Sequence, residues 1–328
     1  MMFSKGPASR LRRPLVEAAR LLSGGRMQTE SISCRSSIER FLDNYDTFLF
    51  DCDGVVWKND HVTPIPGIPE AIEKLHQLGK TVIYVTNNSM VSRASLQKKF
   101  NQYGFDSSLT HIYGPGYCAA LYLKDVLGIG GRTYLVGGTA MKWELDQLGV
   151  ANCGVGADTD IPSSNVHHLL DHTFHDDIQA VLVGFDEHFS FNKIFKAASY
   201  ISNPECHFLA TNTVEQGLFI GEGRKDGPRR LPLTGVKVNA IAMAANRAPF
   251  VIGKPYRTMF DCVLQTHPDI DPSRTVFVGD NLKADMAFAK TIGVDSTLVL
   301  SGVHGYNDVK ENSHLAPTYI LGSLADIT

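Results

Sequence analysis

From about residue 40 the chain alternates short apolar runs with segments in which apolar residues return every three or four positions. "DTFLFD" (46–51) and "TVIYVT" (81–86) read as strands. "PEAIEKLHQLGK" (69–80) reads as a helix: Pro69 suits the first turn, Ala71, Leu75 and Leu78 share a face, and Gly79 ends it. "SRASLQKKFNQYG" (92–104) follows as a second helix, with Leu96, Phe100 and Tyr103 inward. The rhythm returns late in the chain. "PFVIGK" (249–254), "TVFVGD" (275–280) and "STLVLSG" (296–302) read as strands, with helices over "YRTMFDCVLQTH" and "LKADMAFAKTIG" between them. These strands are apolar on both faces, which predicts an α/β fold: a doubly wound, mostly parallel, Rossmann-like sheet covered on both sides by helices.

A second αβ region separates the two halves. It holds "TYLVGG" (133–138), "MKWELDQLG" (141–149), "AVLVGF" (180–185) and "CHFLAT" (206–211). Ser190 opens a helix in it, with Phe191, Ile194, Phe195, Ala198 and Ile201 on one face. The expected organisation is an N-terminal extension (1–40), a core made of 41–131 and 248–328, and an inserted α/β cap (132–247). A length of 328 residues agrees, since one hydrophobic core rarely organises so long a chain.

Composition narrows the function classes. A net charge of −3 with 20% charged residues argues against a nucleic-acid surface, and the apolar runs are too short to span a bilayer. Six cysteines stand singly with no C-x-x-C pair, which suits a reducing compartment such as the cytoplasm. Residues 1–26 differ, with Lys5, Arg10, Arg12, Arg13, Arg20 and Arg26 against Glu17 alone. Leu11, Leu15, Ala18 and Leu22 fall there at helical spacing, as in an organelle presequence. A mitochondrial destination is therefore the alternative, and an untargeted tail the plain reading.

In a doubly wound sheet, ligands collect beyond the carboxyl ends of the strands. The first strand delivers Asp51 and Asp53 there, and the second Thr86, Asn87 and Asn88. The third delivers Lys254, and the fourth Asp280, with Asn281 and Asp285 just beyond. Three carboxylates converging on one point repel unless a cation joins them, and an all-oxygen donor set with room for water and phosphate suits Mg²⁺. A carboxylate so neutralised can attack phosphorus: Asp51 as nucleophile forming an aspartyl phosphate, Asp53 as general acid and then base.

D-x-D-G-V at 51–55, T-N-N at 86–88, G-K-P at 253–255 and G-D-x-x-x-x-D at 279–285 resemble the four motifs of the haloacid dehalogenase superfamily of phosphatases. "VTNNSMVSR", "VGFDEHFSF" and "GKPYRTMFDCV" are similar to the group containing phosphoglycolate phosphatase, pyridoxal phosphatase (chronophin) and 4-nitrophenylphosphatase. The resemblance implies Asp51, Asp53 (through its main-chain carbonyl) and Asp280 as Mg²⁺ ligands, with Asp285 behind them. It implies phosphate binding by Thr86, Asn87, Asn88 and Lys254, and His188 of the cap reaching toward the substrate. It also implies a small phosphorylated metabolite as substrate, 2-phosphoglycolate first and pyridoxal 5′-phosphate or aryl phosphates next, and a homodimer formed through the cap.

The cap departs from the group's pattern at "ATNTVEQ" and "LPLTGVK", which bears on substrate choice rather than chemistry. Arg224, Lys225, Arg229 and Arg230 read as a charged hairpin tip, with a contact to an acidic substrate group as the sharper alternative. "VHHLLDHTFH" (166–175) reads as a solvated cap surface rather than a soft-metal site. Cys52, between two acids but facing away, reads as core packing. Two other classes compete with a phosphatase. A phospho-acceptor signalling module would lack the inserted cap, and a non-catalytic binding module would not need all four motifs.

Overall fold

Phe48, Leu49 and Phe50 are wholly buried, as a strand covered by helices on both faces must be. The computed structural model describes residues 29–161, 165–214, 218–220, 225, 227 and 229–328. The Arg-rich segment 1–26 and Arg224 lie outside the described residues. Thr47–Phe50 is an interior strand of a seven-stranded parallel sheet, flanked by Thr81–Val85 on one side and Thr275–Gly279 on the other. Ile112–Tyr113 closes one edge. Asp295–Val299, Tyr319–Leu321 and the short Glu30–Ser31 extend the other. The α/β class expected from the apolar runs is what forms.

A second sheet of five parallel strands is built from Arg132–Val136, Asn152–Cys153, Ile178–Val183, His207–Ala210 and Phe250–Val251. The last of these corrects an expectation. "PFVIGK" does not supply the seven-stranded sheet's expected strand: Phe250 and Val251 pair with Leu209 and Ala210 in the second sheet. Main-chain pairing thus carries that sheet past residue 247, and Lys254 follows it by way of Ile252 and Gly253, which donate to the carbonyls of Ala210 and Thr211. Val251 is buried there in the hydrophobic cluster that includes Val183, Ala210 and Ile241, and that burial decides which edge this short apolar strand joins. Leu218–Ile220 and Arg229–Leu231 form a separate antiparallel ribbon, with Arg229 and Arg230 paired inside it rather than at a hairpin tip.

The helix Phe191–Ile201 begins where expected, Ser190 accepting from the Lys193 amide as N-cap. Its buried face is different. Phe191 is exposed, while Lys193 and Lys196 are buried with Ala197, Tyr200 and Ile201. Counting apolar residues alone misplaced that face because two lysines are neutralised inside the fold: Lys193 by Asp186, and Lys196 by Asp158 and Asp160.

One hydrophobic cluster joins the two sheets, running from Leu49, Ile83 and Phe277 to Leu135, Leu182 and Leu209 through Ile252. Polar ties reinforce it. The Arg93 amide and Nε donate to the two carboxylate oxygens of Glu144, on the helix Thr139–Gln147, at 2.7 and 2.9 Å. The Phe185 amide donates to Ser89 Oγ, and Asn212 Nδ2 to the Asn87 carbonyl. Among the described residues no helix is long and apolar enough to cross a membrane.

Candidate active site

Parallel pairing sets Phe50 opposite both Tyr84 and Val278, so the three central strands end level with one another. Asp51, Thr86 and Asp280 are the next residues of each. One oxygen from each of Asp51, Asp280 and Asp285 lies within 4.8 Å of the others, the only such group of three or more potential ligands among the described residues. The histidines of 166–175 form no group of that kind.

Lys254 enters from the end of the second sheet's strand Phe250–Val251. Its Nζ is 2.9 Å from Asp51 Oδ1 and 2.8 Å from Asp285 Oδ1. Neither Nζ nor Asp285 Oδ1 has a hydrogen-bond partner of good geometry, so charge rather than a directed bond holds them together. Asn87 fixes the lysine's backbone. Its Oδ1 accepts from the Lys254 amide at 2.8 Å and its Nδ2 donates to the Lys254 carbonyl at 3.0 Å. The Asn87 side chain, expected at the phosphate, thus positions the lysine, and one N–H of its Nδ2 is left over from these two bonds. Gly253 is needed for the same approach, since a Cβ there would lie 2.4 Å from the Thr211 carbonyl and 2.7 Å from Asn87 Oδ1.

Asp285 Oδ2 accepts from the amides of Asp280 and Asn281, so Asp285 both anchors the strand end and faces Lys254. The cap of the following turn is Asn281, whose side chain accepts from Lys283 and Ala284. Asp280 Oδ2 accepts from the Val303 amide at 2.8 Å, and Gly302 and Gly54 both crowd that oxygen. Thr86 is buried, its Oγ1 accepting from the Asn88 amide. Asn88 Oδ1 in turn accepts from Met90. His188 is half-exposed, in the 185–189 segment that Phe185 docks on Ser89; its nearest ionic neighbour is Glu187 at 3.9 Å.

Asp53 belongs to a different set of contacts. Its carboxylate is not in the three-acid group; Oδ1 accepts from Trp57 Nε1 and from His61 Nδ1, the latter at 2.7 Å. The sequence reading missed Trp57, His61, Gly302 and Val303. A tryptophan four residues past an acid, at the end of a tight turn, was the one available signal.

Charge balance tests the fit to a cation. Burial, outweighing Lys254, and the neighbouring acids hold Asp51 well above the usual carboxylate range. Burial and Asp285 push Asp280 up to about 7. Burial works against the Lys254 charge, but Asp285 and Asp51 more than offset it and raise the lysine. One ammonium among three carboxylates, two of them buried, leaves negative charge uncompensated, and the donors are all hard oxygens. The group fits a small divalent cation. Burial also pushes the Cys52 thiol up, and Cys52 is wholly buried, in keeping with packing.

A family profile described as haloacid dehalogenase-like hydrolase matches residues 48–151, and one described as HAD-hydrolase-like matches 251–327. Glycerol-3-phosphate phosphatase from Homo sapiens is 37% identical over 319 residues, covering 89% of this chain and 94% of that one. 4-Nitrophenylphosphatase from Schizosaccharomyces pombe is 33% identical over 303 residues, covering 91% and 98%. The solved structure of p-nitrophenyl phosphatase from Archaeoglobus fulgidus superposes with a TM-score of 0.69 at 25% identity, covering 86% of this chain and 98% of that one.

Proposed function

Since the chain belongs to the haloacid dehalogenase-like hydrolases, we propose that it is a Mg²⁺-dependent phosphatase of small phosphomonoesters with Asp51 as its nucleophile. The observation that carries the reading is the Asp51 carboxylate, held 2.9 Å from Lys254 and grouped with Asp280 and Asp285 where the central strands end. Asp51 attacks phosphorus as the bond to the alcohol oxygen breaks, and that oxygen takes the proton of the Asp53 carboxyl. Water then loses a proton to Asp53 and attacks the aspartyl phosphate, which releases phosphate and restores Asp51. Lys254 and the Thr86 hydroxyl bind the phosphoryl oxygens. Asp51, Asp280 and the Asp53 carbonyl would hold Mg²⁺, whose positive charge offsets that of the carboxylates and the phosphoryl group when it is bound. His188 reaches the leaving group from the cap, which keeps bulk water out.

Glycerol 3-phosphate is the leading substrate, on the names of the relatives above; 2-phosphoglycolate, pyridoxal 5′-phosphate and aryl phosphates complete the set to assay. Phosphate release from that set, with Mg²⁺ and with a chelator, tests the reading. Turnover of at least one ester that the chelator abolishes is expected, and a protein inert toward every ester with Mg²⁺ present refutes it.

Gly302→Ala probes the cation site without touching a carboxylate. The new Cβ would fall 2.0 Å from Asp280 Oδ2, so the acid or its loop must move. We expect a loss of about 1–3 kcal/mol in stability, the usual cost of overpacking. The Mg²⁺ concentration for half-maximal activity should rise by roughly 10-fold, equivalent to ~1.4 kcal/mol. An unchanged activation curve would place the cation away from Asp280.

A further inference from the structure

We propose that His61 is a positioning residue for Asp53, holding the carboxylate so that its second oxygen serves the proton transfers of the reaction; this rests on the phosphatase reading above. Two donors, Trp57 Nε1 and His61 Nδ1, converge on the same oxygen, Asp53 Oδ1. One donor would leave the carboxylate free to swing about its terminal torsion; two fix it and leave Oδ2 for the departing alcohol and, later, for water.

The surroundings are arranged around this clamp. His61 has φ +59°, a left-handed conformation that costs a residue with a side chain roughly 1–2 kcal/mol. Lys99 supports both donors at once: its Nζ donates to the His61 carbonyl at 2.8 Å and lies 3.3 Å above the Trp57 ring. Trp57 is buried against Phe100 and Tyr103, so the indole cannot readily swing away. His61, Lys99, Trp57, Thr86 and Asn88 line a cavity of about 110 Å³ that opens beside Asp53. A histidine serving only the turn would not need its ring aimed at the acid.

The experiment compares kcat/KM, which covers the steps up to loss of the alcohol, for glycerol 3-phosphate and 4-nitrophenyl phosphate. The glycerol alkoxide needs a proton to depart, and 4-nitrophenolate does not. The full chain with Mg²⁺ is assayed as wild type, His61→Gly and His61→Asn. Both replacements accept the left-handed backbone, and asparagine alone keeps an N–H at the place of Nδ1. His61→Gly should lose about 10–100-fold on the alkyl ester and less than about 3-fold on the aryl ester, since general-acid help is typically worth ~10²–10⁴. His61→Asn should return to within about 3-fold of wild type on both. Should the glycine variant melt below the assay temperature, His61→Asp, of the same shape but without the donor, should show the same selective loss.

Equal losses on the two esters, an unaltered alkyl rate in His61→Gly, or no recovery in His61→Asn overturns the proposal. A wild type that cleaves only the aryl ester overturns it too, because no alkoxide is then protonated. A wild type inert toward both esters refutes the phosphatase reading itself.

Discussion

Asp51→Asn should leave a folded protein whose turnover is lower by about 10⁴-fold or more, because an amide cannot attack phosphorus and nothing nearby can replace it. Asp280 and Asp285 are engaged with backbone amides, and Asp53 is turned to Trp57 and His61. The control for folding lies in the electrostatics. Burial and three neighbouring acids disfavour ionised Asp51, so a neutral isostere relieves repulsion in the metal-free protein. Its melting temperature in chelator should match or exceed that of wild type. Lost turnover together with a lowered melting temperature would mean a structural role. A wild-type protein trapped as a stable phosphoprotein without turnover would favour the signalling alternative.

Legibility in the sequence followed how local each cause is. The central strands could be read because burial on both faces demands runs such as Thr47–Phe50 and Thr275–Gly279, and their ends delivered Asp51 and Asp280 directly. Sheet membership is not local: Phe250–Val251 looks like a strand in either sheet, and its partner decides which one it joins. The buried face of Phe191–Ile201 was hidden for a related reason, since Lys193 becomes a core residue only with Asp186 beside it. In the site, the charged residues were visible as motifs, but the groups that aim them were not. Asn87 clamping the Lys254 backbone spans 167 residues of chain, and the Val303 amide reaches Asp280 across 23. Such contacts have no signature in either segment alone.

Lys254→Met should damage both stability and rate. The ammonium lies within 2.9 Å of two carboxylates, with its side chain almost wholly buried. Methionine fills the volume but supplies no charge, so the metal-free variant keeps three acids together with nothing to offset them. Breaking a buried pair from one side costs ~3–5 kcal/mol, and losing a donor to the developing phosphoryl charge costs about 10²–10³-fold in kcat. Chemical denaturation with chelator and with saturating Mg²⁺ separates the two effects. The cation should stabilise Lys254→Met more than it stabilises wild type, because it becomes the sole counter-charge. A second change tests the cause: Asp285→Asn removes one negative charge yet keeps an oxygen to accept from the Asp280 and Asn281 amides. Added to Lys254→Met, it should recover roughly 1–3 kcal/mol of stability and none of the rate, a coupling expected only of residues in direct contact. Additive losses in the double variant would mean that Lys254 stabilises the fold through its aliphatic stem, and the charge-balance account of this site would fall.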